Sequence, residues 1–115
     1  MSGAFAVIKK RRDFLRASAS PIHGVGGGAV VQCAAGGQGS ARFGFTASRK
    51  VGGAVVRNRA KRRLREIVRL HLVKKASAGC DYVLIARFAT AVMPFSVLVN
   101  DVKRSMARCA KSFPA

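Results

Sequence analysis

Negative charge is what this chain most lacks. Its 115 residues carry four Asp and Glu against 22 Lys and Arg, a formal net charge of +18. The four carboxylates, Asp13, Glu66, Asp81 and Asp101, are too scattered to build a two-metal nuclease centre. Tryptophan is absent and tyrosine occurs once, so the core is mostly aliphatic with help from seven Phe. Cysteine occurs three times, at Cys33, Cys80 and Cys109, with wide spacings and no CxxC pair. That pattern fits small buried hydrophobes in a reducing cytosol, and a nucleophilic role would need an activating base that the sequence does not reveal. His23 and His71 stand far apart with no ligand spacing around them, which argues against a zinc site. No apolar run approaches the ~18 residues that a membrane span needs. The N-terminus runs apolar first and basic second, the reverse of a secretory signal, so a cytoplasmic protein is expected.

What is present is apolar mass and positive charge together. Half the residues are hydrophobic, enough for one modest core, and the length fits a single domain over 1–115, with 1–7 and 111–115 expected as flexible tails. Concentrating +18 in so small a body costs self-repulsion that a polyanion would relieve. Nucleic acid is the first candidate partner and an anionic membrane surface the second.

The pattern along the chain predicts an α+β domain in the order αββαβα. Residues 8–18 read as a short helix with Ile8 and Leu15 on one face, ended by Pro21 and a flexible link over 24–28. Residues 28–34 and 42–49 read as two strands of an antiparallel hairpin. On the second, Phe43, Phe45 and Ala47 point to the core, while Gly44, Thr46 and Ser48 form a small, polar, open face. Residues 56–72 predict a helix with Ala60, Leu64, Ile67, Val68 and His71 in one stripe. Cations, Arg69 among them, cover most of its remaining surface, and Glu66 alone offsets them. Arginine outnumbers lysine there, which suits bidentate phosphate contacts. A membrane-surface helix would want bulkier apolar residues than Ala60 and His71. Residues 81–87 read as a buried strand, and Pro94 starts a last helix through Leu98, Val102, Cys109 and Phe113.

The segment Phe43–Glu66, centred on Arg57-Asn58-Arg59 followed by Lys61-Arg62, resembles the signature of the bacterial ribonuclease P protein component. Lys10-Arg11-Arg12-Asp13-Phe14 upstream resembles that family's first helix, and residues 81–87 resemble its third strand. The resemblance implies an α/β sandwich with a left-handed crossover between parallel strands. It implies the protein component of an endoribonuclease: a ribonucleoprotein in which a separate RNA subunit, using magnesium, removes the 5′ leader of precursor tRNA. The protein alone would be inactive and would bind no metal tightly. Its expected partners are the catalytic RNA and precursor tRNA, with no membrane and no obligate protein. By position, Arg57, Asn58, Arg59, Lys61, Arg62 and Arg65 would face RNA, with Arg69 extending that surface. Phe14, Arg49 and Lys50 would line the leader path over the floor of Thr46 and Ser48. Two positions depart from the family pattern, Ser18 and Gln32, where aromatic residues are frequent. The alternative from another class is a structural RNA-binding protein such as a ribosomal protein.

Overall fold

The computed structural model describes residues 5–19, 23–34, 39–76 and 78–112. Among these, five strands form one mixed sheet: β1 (Ala6–Val7), β2 (His23–Val25), β3 (Ala29–Ala34), β4 (Arg42–Thr46) and β5 (Asp81–Ala86). Their order across the sheet is β1-β4-β5-β3-β2. The helices are α1 (Arg11–Ser18), α2 (Ala54–Ile67), the short α3 (Phe88–Val92) and α4 (Phe95–Ser112). None of the described helices is long and apolar enough to cross a membrane.

The α+β class is as expected, and β4 and β5 are parallel strands joined through α2. The expected hairpin is not formed. β5 lies between β3 and β4, antiparallel to the first and parallel to the second. Its run Tyr82-Val83-Leu84 is buried on both faces, so it belongs at the centre of the sheet. β4 stops at Thr46, and Arg49–Val51 form a single 3-10 turn instead of the strand expected to run on to 49.

Three elements were not expected from the sequence. Ala6 and Val7 pair with Arg42 and Phe43, and the Phe5 ring packs edge-on against Phe43 and Phe45, so this part of the expected tail is in the sheet. The backbone N–H of Ile8 also donates to the Phe43 carbonyl at 2.9 Å, which delays the first helix to Arg11. The expected link over 24–28 overlaps β2, an edge strand pinned beneath α4. A Cβ on Gly28 would sit 2.7 Å from Leu98 Cδ1, and one on Gly24 would overlap the Ser105 carbonyl. These glycines permit close approach, which is why a strand there is hard to read from propensity. α3 was missed because five residues carry too little periodicity.

Adjacent strand residues point to opposite faces. Phe43, Tyr82, Leu84, Val31 and Cys33 build the larger core with Ala60, Leu64 and Ile67 of α2 and Leu98, Val102 and Cys109 of α4. Val83 and Ala34 face the other way, against Ile8 and Ala17. α1 and α2 thus lie on opposite faces of the sheet. In α1 the buried face is Ala17 with half-buried Phe14; Leu15, expected inward, is 51% exposed. α2 continues as a π-helical turn over Val68–Leu72, followed by a 3-10 turn at Val73–Lys75. The wider turn buries Leu72 and leaves His71, expected in the stripe, half-exposed. α4 carries its expected stripe and continues to Ser112; Phe113 lies outside the described residues.

Candidate RNA interface

α2 places its apolar stripe of Ala60, Leu64 and Ile67 on the core. At ~100° per residue, Asn58, Arg62, Arg65 and Arg69 then share the opposite, outward face. All four are exposed. Asn58 and Arg62 have no partner among the described residues. The Arg65 guanidinium lies 5.6 Å from the Phe45 ring centroid, and Arg69 pairs with Glu66. Arg57 and Lys61 flank this face on one side, both half-buried, and the Arg57 Nε is buried with no hydrogen-bond partner. The helix therefore presents a ladder of cations at single-turn spacing, suited to the phosphates of a polyanion.

The other flank of α2 does something different. Arg59 Nε donates to the Ala91 carbonyl at 2.8 Å. Arg63 donates to Thr90 O at 2.7 Å and Met93 O at 2.6 Å, and its guanidinium stands 5.6 Å from the Phe95 ring centroid. These carbonyls end a helix too short to satisfy them itself, so the two arginines act as its C-terminal cap. Burial, and then the like charge of Arg59, pull the Arg63 guanidinium below its usual pKa. Arg59, expected to face RNA, spends one of its donors on the fold.

On the opposite face of the sheet, α1 covers only part of the strands. The Phe14 ring lies against Gly44, where a Cβ would come within 2.8 Å of the Phe14 Cε2. Phe14 also packs on Ile8, Ala17 and Val83, so the same ring serves the small second core and keeps a half-exposed edge. Beyond it the sheet register sets Thr46 beside Ile85, Ile85 beside Val30, and Val30 beside Val25. The first three are half-exposed and Val25 is exposed. The floor expected to be small and polar is therefore mostly aliphatic, with Thr46 its polar end. Ser48, Arg49 and Lys50 are all exposed where β4 turns toward α2, and buried Val51 anchors that turn. Ser18 Oγ donates to the Phe14 carbonyl at 2.8 Å, and half-buried Gln32 sits in the row of Val83 and Gly44.

Carboxylates hold a second set of cations. Asp81 is 1% exposed and accepts from Arg42 Nε and Nη2 at 2.9 and 2.7 Å and from Arg16 Nη2 at 2.6 Å. Arg42 also reaches Asp13 at 3.3 Å. The hydrogen bond to Asp81 leads in raising the Arg42 pKa above its ordinary value. This network fastens α1 to β4 and β5 and so sets where Phe14 stands; sequence separation hid it. Glu66 pairs with Arg69, and Asp101 with Arg104. All four carboxylates of the chain are thus engaged with arginine, and the described residues contain no grouping of three or more metal-ligating side chains. These residues do not fit a protein-held divalent metal. The cysteines are buried, and hydrogen bonding with Cys109 and burial push the Cys33 thiol up, away from nucleophilic use.

Known proteins resemble this chain in sequence and in fold. The family model described as Ribonuclease P matches residues 4–110. The ribonuclease P protein component of Ruegeria pomeroyi is 46% identical over 111 residues, covering 93% of this chain and 88% of the relative. That of Paramagnetospirillum magneticum is 45% identical over 106 residues, covering 88% and 80%. Among solved structures, a Staphylococcus aureus RNase P protein mutant with defective mRNA degradation activity superposes with a TM-score of 0.75 at 31% identity, covering 92% of this chain and 88% of that one. The RNase P protein from Thermotoga maritima superposes with a TM-score of 0.71 at 28% identity, covering 84% and 91%. With the family model spanning nearly the whole sequence and the same fold beneath it, this chain belongs to the ribonuclease P protein component family.

Proposed function

We propose that the chain works as the RNA-binding subunit of a cytoplasmic ribonucleoprotein that removes the 5′ leader from precursor tRNA. The outward face of α2 holds the catalytic RNA. Phe14, Thr46, Ser48, Arg49 and Lys50 line the path of the single-stranded leader on the other face of the sheet. Hydrolysis belongs to the RNA subunit together with its magnesium, and the isolated protein is inactive. Its contribution is to bind, orient and screen charge, since every carboxylate is already paired with arginine.

One observation carries this reading: Asn58, Arg62, Arg65 and Arg69 lie on a single exposed face directly opposite the buried stripe of α2. A structural ribosomal protein would share the basic composition, but the family assignment does not favour that alternative. The test is reconstitution with a bacterial ribonuclease P RNA at low magnesium. The protein should restore precursor cleavage that the RNA performs poorly alone. Failure to stimulate cleavage, or cleavage by protein freed of RNA, would contradict the proposal.

A further inference from the structure

Among the described residues, large hydrophobic side chains are exposed on two elements that α2 arginines tie together: Phe88 and Val92 on α3, and Phe95 at the start of α4, with Val55 exposed on the first turn of α2. Phe88 and Val92 are one turn apart on the same side of α3, 61% and 59% exposed. Scattered single apolar residues need no explanation, but a rigid cluster does. This one is held rigid, because Arg59 and Arg63 cap α3 and Arg63 stacks over Phe95.

From this we infer that the α3 platform, through the exposed ring of Phe88, seats unpaired bases of the RNA that α2 binds. The inference rests on the proposed RNA-binding role of α2. Charge selects the class of occupant: Arg59 and Arg63 border the platform, Arg87 precedes it, and no Asp or Glu occurs from residue 82 to residue 100. The exposed phenyl ring of Phe88, with Arg87 next to it in the chain and Arg59 keeping donors beyond the one that caps α3, offers a π-face for a base and cations for its phosphates. Position selects the RNA subunit over the substrate leader. The platform adjoins the α2 side of the sheet, whereas Phe14 and the leader path lie on the α1 side.

The test measures binding of the full chain to a bacterial ribonuclease P RNA across a salt series. Phe88→Ala should weaken binding about fivefold or more. The loss should be the same at every salt concentration, because a stacking contact releases no counterions. The melting temperature should not move, since the ring is mostly exposed. Phe88→Tyr should bind like the parent and Phe88→Leu should not, because only tyrosine keeps the ring. Unchanged affinity in Phe88→Ala, while Arg62→Ala still weakens binding, would overturn the platform and leave the α2 reading standing. Full rescue by leucine would overturn base stacking in favour of plain apolar contact. A loss confined to precursor tRNA binding by the assembled particle, or loss of self-association in sedimentation with RNA affinity unchanged, would assign the surface to another occupant and overturn the proposal.

Discussion

The α1 corner and the outer face of α2 are both rich in arginine, yet they use it in opposite ways. At the corner, Arg16 and Arg42 close on the buried carboxylate of Asp81. On α2, Asn58 and Arg62 face outward without a partner among the described residues. Residue type is therefore a poor guide to role in this chain. With 22 cations and four anions, a buried carboxylate or an unsatisfied helix-end carbonyl decides which arginines belong to the fold, and the others remain available. The corner should respond to mutation through stability, and the helix face through RNA affinity and its salt dependence.

The largest expected effect is at the corner. Asp81→Ala takes the buried anion from Arg16 and Arg42 and leaves Arg42 with Asp13 alone. Removing one partner of a buried ion pair costs about 3–5 kcal/mol. The low end applies here, because Arg16 and Arg42 are 41% and 29% exposed and can recover water. Thermal or urea unfolding measures the loss. A variant as stable as the parent would break the comparison at its fold-bearing end.

Phe14→Ala lies between the two regimes, because the ring is half core and half cleft. Full burial of a Phe would give about 3–5 kcal/mol on truncation. With a minor part of the ring exposed, the expected stability loss falls somewhat below that, at about 2–3 kcal/mol. The assembled particle should also bind precursor tRNA about fivefold more weakly, the low end of one stacking contact, with mature tRNA unaffected. Ser18 and Gln32 offer no second ring, and the aliphatic floor of Ile85 and Val30 gives the bases apolar contact only. A drop in melting temperature without a precursor-selective loss would move Phe14 wholly into the core.

Much of this architecture was legible in the sequence, and the exceptions have physical causes. The stripe of α2, the apolar run of β5 and the spacing along α4 are local patterns, and local patterns survive in the fold. Strand order is not local. Nothing near residues 28–49 indicates that β5 will insert between β3 and β4, because that placement is settled by burial of both faces of β5. The glycines at 24–28 read as a flexible link because their purpose, close approach to α4, depends on a helix some 75 residues away. The candidate site divided along the same line. The outward residues of α2 followed from periodicity, whereas the capping roles of Arg59 and Arg63 depend on α3. The Asp81 network joins residues 13, 16, 42 and 81 and leaves no trace in their spacing.

The smallest expected change in stability is the most telling for function. Arg62→Ala removes an exposed side chain with no partner among the described residues, and its melting temperature should stay close to that of the parent, within about 0.5 kcal/mol of stability. Its binding to ribonuclease P RNA, followed across a salt series, tests the central claim that the outer face of α2 meets phosphate. The slope of log affinity against log salt should fall in magnitude by about 0.7–0.9, the counterion release of one phosphate contact. An unchanged slope in a fully folded Arg62→Ala protein would contradict the account and place the RNA elsewhere on the molecule.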